Sequence, residues 1–568
     1  MQRMSFKFVL VVLISSLIIA IIILSCVPPV SKDALVHHLA VPKLYLKHGG
    51  IYEIPALIFS YYPMNLDLLY ILPLYCGNDI IPKFIHFAFA LITGGIIFGY
   101  LKKRIDPVYA MIGVLFFLSI PIIVKLSISV YVDLGLICFS LASLMYFLKW
   151  IENHFKLKYL IIAAVCCGLA LGTKYNGLIT LFLLTLFVPF IYSRRVSGQM
   201  SGNTPHQARA LGYGAIFMLV ALLVFSPWMI RNYIWTQNPV YPLYNQWFNP
   251  AKVVPNPDPA SQSTPGTPPG PEVSKKPLGH FAIRSIQYGE SWWRIGLIPV
   301  RIFFEGQDGT PQFFDGRLNP FLFFLPFFAF IGLGTNLAIL RTEKSFFLAF
   351  ALLFLLFVFF RMDMRIRWIA PIIPPLVILS VLGLHNIHTA IADRFPFKGA
   401  IIGGSVVFAI VAVVLSMNTG YIVDQFRHVD PLNYINGKIG RDEYIERFRH
   451  EYPTIVFANQ KVPENAKILA LFLGNRNYYS DREMVFDEYH FREIVWRATS
   501  PREVLIKLKK RGITHLLVRY DLFNEWCNTN FKDKKKEILG EFFKAHSNRI
   551  YFKNGYGLFR LENTGVSR

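Results

Sequence analysis

Val9–Leu24 reads VLVVLISSLIIAIIIL, and shortly beyond it stands Asp33; further on, Ser127–Leu136 reads SISVYVDLGL and carries Asp133 inside an apolar run. An uncharged apolar stretch of this length crosses a bilayer as a helix, because lipid offers backbone polar groups no other partner. A carboxylate within or just past such a stretch is costly there and needs a reason. The two aspartates, placed by the spans around them, fall at the same membrane face and point to chemistry at the bilayer surface.

The rest of the chain agrees. Its 568 residues are 54% hydrophobic, 15% aromatic and only 16% charged, with a mean hydropathy of +0.42. Runs such as FLAFALLFLLFVFF (Phe347–Phe360) repeat the pattern. Eleven spans are predicted: Phe6–Val27, Ile80–Leu101, Pro107–Val124, Val130–Trp150, Leu157–Thr173, Leu178–Tyr192, Leu211–Ile230, Leu318–Leu340, Phe346–Phe360, Ile366–Ile387 and Ala400–Met417. The expected fold is an α-helical polytopic membrane domain over residues 1–420, with a small α/β domain over 421–568.

Basic residues in short loops set the orientation. With the N-terminus inside, the inside loops collect Lys102-Lys103-Arg104, Lys156 and Lys158, Arg194-Arg195, Arg341 with Lys344, and Arg394 with Lys398. An odd number of spans then places the C-terminal domain outside a bacterial inner membrane. These loops account for much of the net charge of +23, so nucleic acid is not an expected partner. Lys125, Lys174, Arg231, Arg361, Arg365 and Arg367 fall instead at outer ends of spans. Singly each reads as a snorkelling anchor; together they favour an anionic headgroup, with phosphate the obvious candidate. The six cysteines form no metal-ligand spacing, and no phosphate-binding glycine loop is present.

Three outer segments remain: loops 28–79 and 231–317, and the tail. In the first, Ser31 can cap a helix reaching His48, with Gly49-Gly50 as its stop and Pro42 as a kink. Leu35, Leu39 and Leu46 give it an apolar side and Lys43 and Lys47 a basic one, as for a helix lying in the interface. Asp67–Tyr75 is apolar but too short to span. In the second loop, Val254–Lys276 is rich in Pro, Ser, Thr and Gly and reads as a mobile loop. Aromatic clusters flank it, among them Trp235, Trp247 and Trp292-Trp293, suited to an interfacial belt or a sugar or lipid surface. In the tail, KILALF and THLLVR read as strands, PREVLIKLKKRG as an amphipathic helix, and RIYFKNGYGLFRL as a hairpin turning at Asn554-Gly555. It shows no nucleophile–base set, which suits a lid or acceptor-recognition module.

Asp33 is placed in the first turn of its helix, where a carboxylate also suits the helix dipole. His37 lies four residues on and shares its face, and His38 follows, placed to orient a carboxylate or a substrate hydroxyl. Either histidine read alone is an interfacial side chain.

The run Asp33-x-x-x-His37-His38-Leu39, then Tyr62-Pro63-Met64-Asn65-x-x-Leu68-Leu69, resembles the first outer loop of bacterial GT-C glycosyltransferases, relatives of protein O-mannosyltransferases and the lipid A aminoarabinose transferase. Tyr131-Val132-Asp133-Leu134 resembles their second outer-loop acid, and Gly172-Thr173-Lys174-Tyr175-Asn176-Gly177 their Lys-bearing turn. Pro227-Trp228-x-x-Arg231-Asn232-Tyr233, Asn238-Pro239-Val240-Tyr241-Pro242 and Phe314-Asp315-Gly316 continue the likeness in order. The chain departs from it at Asp33-Ala34, where an acidic pair is frequent, and at His37, where Tyr is frequent. The resemblance implies a polyprenyl-phosphate-linked sugar donor and a glycan, lipid or protein acceptor. It implies Asp33 as general base, with Asp133 positioning a basic residue or the acceptor, or sharing a divalent metal with Asp33. Lys174, Arg231 and Arg365 or Arg367 would hold the donor phosphate, and His37, His38, Tyr62 and Asn65 would position substrate. Other readings stay open: a different lipid-phosphate transferase or ligase, or a transporter, which would place charges near the midplane on broken helices.

Overall fold

The structure, a computed structural model, describes residues 2–197, 204–250, 279–331, 338–395 and 398–562. The predicted mobile stretch Val254–Lys276 lies outside the described residues. The chain divides into two compact units: Met1–Val27, Tyr61–Asn249 and Lys276–Leu432 form the first, and Pro28–Ser60, Pro250–Lys275 and Asn433–Arg568 the second.

The first unit is helical. Among the described residues, eight helices are long and apolar enough to cross a membrane: Phe6–Ser25, Ile81–Arg104, Asp133–Glu152, Gly177–Arg195, His206–Thr236, Leu340–Arg361, Ile366–Arg394 and Gly399–Val429. The expected span Pro107–Val124 is a broken one. Helices Pro107–Ser119 and Pro121–Ser127 meet at 66°, because Pro121 has no N–H to give and holds Ile120 in an extended conformation (ψ 130°). Leu157–Thr173 forms with 17 residues. Of the expected Leu318–Leu340, Phe321–Phe328 is helical, and residues 332–337 lie outside the described ones.

Basic residues of the predicted inside loops gather at one end of this unit. Arg104 pairs with both Glu152 and Glu343, Lys103 lies 3.1 Å from Glu152, and Arg195 donates to Thr342 Oγ1 at 2.6 Å. Asp133, Lys174 and Arg367 stand at the opposite ends of their helices.

In the second unit, strands β1 (Lys467–Leu471), β2 (Glu483–Val485), β3 (His515–Arg519), β4 (Ser547–Lys553) and β5 (Tyr556–Leu561) form one sheet in the order β2-β1-β3-β5-β4. β1 runs parallel to β2 and β3, while β5 is antiparallel to β3 and β4. The period of two shows directly in the packing. Leu469 and Leu471 bury on one face with Phe491, Leu508 and Phe542, whereas Ile468 and Ala470 bury on the other with Ile455 and Leu558. The β4–β5 hairpin turns at Asn554 and Gly555, both left-handed (φ 52° and 80°), as a two-residue turn matched to strand twist requires.

The first-loop segment differs from its prediction. Ala34–His38 forms a π-helical turn rather than α-helix, and an α-helix follows at Ala40–His48, stopped by Gly49 at φ 81° as expected. Pro42 does not kink it, because it sits in the first turn, where a missing N–H costs little; the irregularity falls at Leu39 (φ −108°). Its basic side also has protein partners: Lys43 donates to Tyr478 O at 2.9 Å, Ser480 O at 3.1 Å and Asp481 Oδ1 at 2.8 Å. Lys43 therefore anchors the helix to the 478–481 loop of the same unit.

Candidate active site

In the first unit, Asp133 opens its span and is fully buried. Its Oδ1 accepts from Lys174 Nζ at 2.6 Å. Lys174 is delivered by a turn in which Gly177 N–H donates to Lys174 O at 2.9 Å. A Cβ at Gly177 would meet the Leu171 backbone at 2.6 Å, so the turn tolerates only glycine there. Asn176 Nδ2 donates to Trp368 O at 3.3 Å, tying this turn to the 3₁₀ segment Ile366–Ile372. Arg367 leaves that segment with its guanidinium 4.8 Å from the Tyr131 ring centre, and its charge acts on Asp133. His86 braces the same place: its Nε2 accepts from Leu134 N–H at 2.9 Å, while its Nδ1 lies 3.0 Å from Leu126 O. Those partners fit a neutral imidazole with its proton on Nδ1.

Arg367 also acts on Asp315, in the predicted Phe314-Asp315-Gly316 motif. Phe314 and Asp315 are both left-handed (φ 66° and 40°). Asp315 lies 3.3 Å from Lys125, which also pairs with Asp308 at 3.0 Å. Burial alone would raise the Asp315 carboxyl, but Lys125 and Arg367 hold it below the usual carboxylate range. Ile366 N–H donates to Phe314 O at 2.9 Å, so this strained turn also fixes the backbone that carries Arg367. Beneath it lies a buried ion triad: Glu290 is 2.7 Å from Arg284 and 3.0 Å from Arg301. Both guanidinium groups also face the Phe314 ring, at 5.2 and 5.8 Å. Arg365 lies 3.4 Å from Asp363, which is 3.8 Å from Arg284.

Arg231 lies between Trp228 and Trp235, 4.6 and 5.0 Å from their ring centres. It donates to Tyr62 O at 3.1 Å and Asn232 Oδ1 at 2.9 Å. Asn65 Oδ1 accepts from Trp228 Nε1 at 2.8 Å. A Cβ at Gly172 would meet Asn65 Nδ2 at 2.4 Å, so the Lys174 turn and the Tyr62–Asn65 turn pack directly on one another. Burial pushes the Tyr62 phenol up to about 12, so it stays a hydroxyl well above neutral pH. Thus Asp133, Lys174, Arg231, Arg365, Arg367, Tyr62 and Asn65 all belong to one unit.

Asp33, His37 and His38 belong to the other. Asp33 precedes the π-turn in right-handed conformation (φ −66°), and its side chain makes no capping hydrogen bond. The His37 ring stacks on Phe59 at 4.5 Å and lies 3.9 Å from His38, which is buried. Leu35 O accepts from Asn477 and Tyr478 N–H, both at 3.1 Å, and fixes the turn's far side. Inserted π-turns widen a helix and recur at functional sites. The α-helical face expected to pair Asp33 with His37 is replaced by this wider turn.

A divalent metal was one expected use of the acids. No three His, Cys, Asp or Glu gather to hold one among the described residues, and Asp133 is already neutralised by Lys174. Sequence reasoning passed over His86, Asp308 and the Arg284–Glu290–Arg301 triad. An ionisable residue inside the second span was the available signal for His86; nothing local marks the other residues.

Residues 81–230 match the family described as dolichyl-phosphate-mannose-protein mannosyltransferase. No curated protein matches the sequence as a whole. Among solved structures, ArnT from Cupriavidus metallidurans bound to undecaprenyl phosphate aligns at TM-score 0.55 and 14% identity, covering 98% of this chain and 97% of that one. Its apo state aligns at 0.54 and 12%, covering 98% of each chain. The Archaeoglobus fulgidus oligosaccharyltransferase tethered with an acceptor peptide aligns at 0.51 and 10%, covering 97% of this chain and 74% of that one. With the mannosyltransferase match inside its membrane part and ArnT's architecture along its whole length, the chain has the fold of the GT-C glycosyltransferases.

Proposed function

We propose that the chain is an integral-membrane glycosyltransferase. It moves a sugar from a polyprenyl-phosphate-linked donor to an acceptor hydroxyl at the outer face of a bacterial inner membrane. The observation that carries this reading is the buried Asp133 at the end of its span, paired with Lys174 and acted on by Arg367, with Arg231 and Arg365 in the same unit. A lipid-anchored phosphosugar presents its phosphate at such a depth. The ArnT fold, solved with undecaprenyl phosphate in that protein, supports the same ligand class.

Asp33, as an ionised carboxylate, takes the proton of the acceptor hydroxyl. The acceptor oxygen attacks the anomeric carbon, and the bond from that carbon to the phosphate oxygen breaks. The lipid phosphate departs with the electron pair, and a phosphate needs charge stabilisation more than a proton. Arg365 and Arg367 supply it beside Lys174 and Arg231, whose positions are fixed before reaction. Asp133 keeps Lys174 oriented, and His86 holds the helix start that carries Asp133. His37, His38, Tyr62 and Asn65 position the substrates. One displacement inverts the anomeric centre.

A transporter would place its charges near the midplane on broken helices; one span here is broken, at Pro121, but Asp133, Lys174 and Arg367 stand at helix ends. The test is Asp33→Asn, which keeps size and removes the base. Transfer from a polyprenyl-phosphate sugar is expected to collapse while donor binding persists, and near-wild-type transfer would exclude Asp33 as the base.

A further inference from the structure

The second unit encloses a cavity of about 870 Å³, within the ~300–1,000 Å³ usual for ligand sites. One wall is the helix Ala40–His48 with the stretch that follows it, and the other is the β1–β2 edge of the sheet. The lining carries five Lys or Arg and five Asp or Glu, so its charges balance. Six of these are closed into pairs: Lys43–Asp481 at 2.8 Å, Lys467–Glu483 at 2.7 Å and Arg511–Asp487 at 3.0 Å.

Such a rim discriminates by hydrogen-bond type. Lysine and arginine only donate and carboxylates only accept, whereas a hydroxyl does both. A polyhydroxylated ligand therefore satisfies both members of every pair. A phosphate, which only accepts, uses the cations alone and meets a like-charged carboxylate beside each paired one. Below the rim the floor is apolar, with Leu469, Met484 and Phe491 buried there. On the wall, Tyr52 stacks on His48 at 4.0 Å and 22°, a rigid aromatic plate of the kind that receives the C–H face of a sugar ring.

We propose that this cavity binds an uncharged glycan, the part of the acceptor remote from its reacting hydroxyl. That the glycan is an acceptor rests on the transferase reading; that it binds here does not. The wall helix continues the turn that carries Asp33, which at ~1.5 Å per residue lies on the order of 15 Å from Lys43. A short oligosaccharide spans that distance.

The test uses the full-length protein in nanodiscs on an array of uncharged, phosphorylated and carboxylated oligosaccharides, with peptides included. Uncharged glycans should be retained, with little change from low to high salt. Ala56→Trp, at an exposed position of the wall, should weaken retention by about tenfold or more. Tyr52→Ala should weaken it too, while Lys103→Ala should not. Thermal unfolding of each variant separates lost binding from lost folding. Preference for phosphorylated probes or peptides, no retention at all, or retention unaffected by both Ala56→Trp and Tyr52→Ala would overturn the proposal. Asp33→Asn should bind glycan as the wild type does. Glycan binding without any sugar transfer by the wild type would therefore sink the transferase reading and leave the site standing.

Discussion

Removing the Asp133 charge offers the most direct physical test of the membrane site. Asp133→Asn keeps the shape and deletes the carboxylate whose Oδ1 sits 2.6 Å from Lys174 Nζ. The Asp133 side chain is 1% exposed and that of Lys174 19%, so the lysine loses its carboxylate with only partial access to water. Breaking a buried pair from one side costs roughly 3–5 kcal/mol, and the residual exposure of Lys174 places this pair near the lower edge, about 3 kcal/mol. Lys174→Met should cost a similar amount by stranding Asp133. The double variant removes both charges, so its loss should fall short of the sum by about 2 kcal/mol. The assay is SDS-titrated unfolding of the purified variants in mixed micelles, read as a double-mutant cycle. A coupling below ~0.5 kcal/mol would mean that the two charges do not act as a pair, and the Asp133-centred site would lose its basis.

Three further outcomes are expected. Lys174→Met and Arg367→Met should each weaken donor affinity about tenfold to a hundredfold, since a charge-assisted contact contributes roughly 1.5–3 kcal/mol; Lys103→Met should not, and equal affinity in all three would exclude the phosphate role. In a cysteine-free background, a thiol placed at Asn563 should react with an impermeant reagent in intact spheroplasts while one at Ser201 stays protected; the reverse would invert the topology. Burial, with Arg560 and Lys509 nearby, pushes His515 down to about 4, so its neutral form is the one that folds. Its contribution is complete above an unfolded value of about 6.5 and is lost as pH falls toward 4. Replacing His515 with Gln should flatten the pH dependence of unfolding across that window, and an unchanged slope would refute the assignment.

What the sequence disclosed follows from how local each signal is. The Asn554-Gly555 hairpin and the apolar strand in KILALF are written in consecutive residues; the hairpin forms as read and the strand forms over Lys467–Leu471. The partnership of Asp133 and Lys174 is separated in sequence, yet each interrupts an apolar run and so betrays itself by cost. The bend at Ile120 was equally local, since Pro121 stands in the middle of the apolar run, but hydropathy is blind to it. Other features had no local mark. Lys43 looks like any interfacial lysine until the 478–481 loop folds against it. The π-turn at Ala34–His38 has the composition of an ordinary helix. Glu290 lies in a polar stretch, and only folding reveals that it is sealed between two arginines.

That sealed triad constrains how this sequence can drift. Substituting Glu290 alone leaves Arg284 with Gln312 O and a carboxylate 3.8 Å away at Asp363, and Arg301 with Glu305 at 2.7 Å, while substituting either arginine leaves the Glu290 carboxylate half-compensated. Each single step should lower stability, although an all-apolar replacement of the whole set can be as stable as the original. The three positions therefore behave as one inherited character. Descendants of this chain should either keep all three residues or exchange them together, and a partial set in a functioning relative should come with a compensating change nearby.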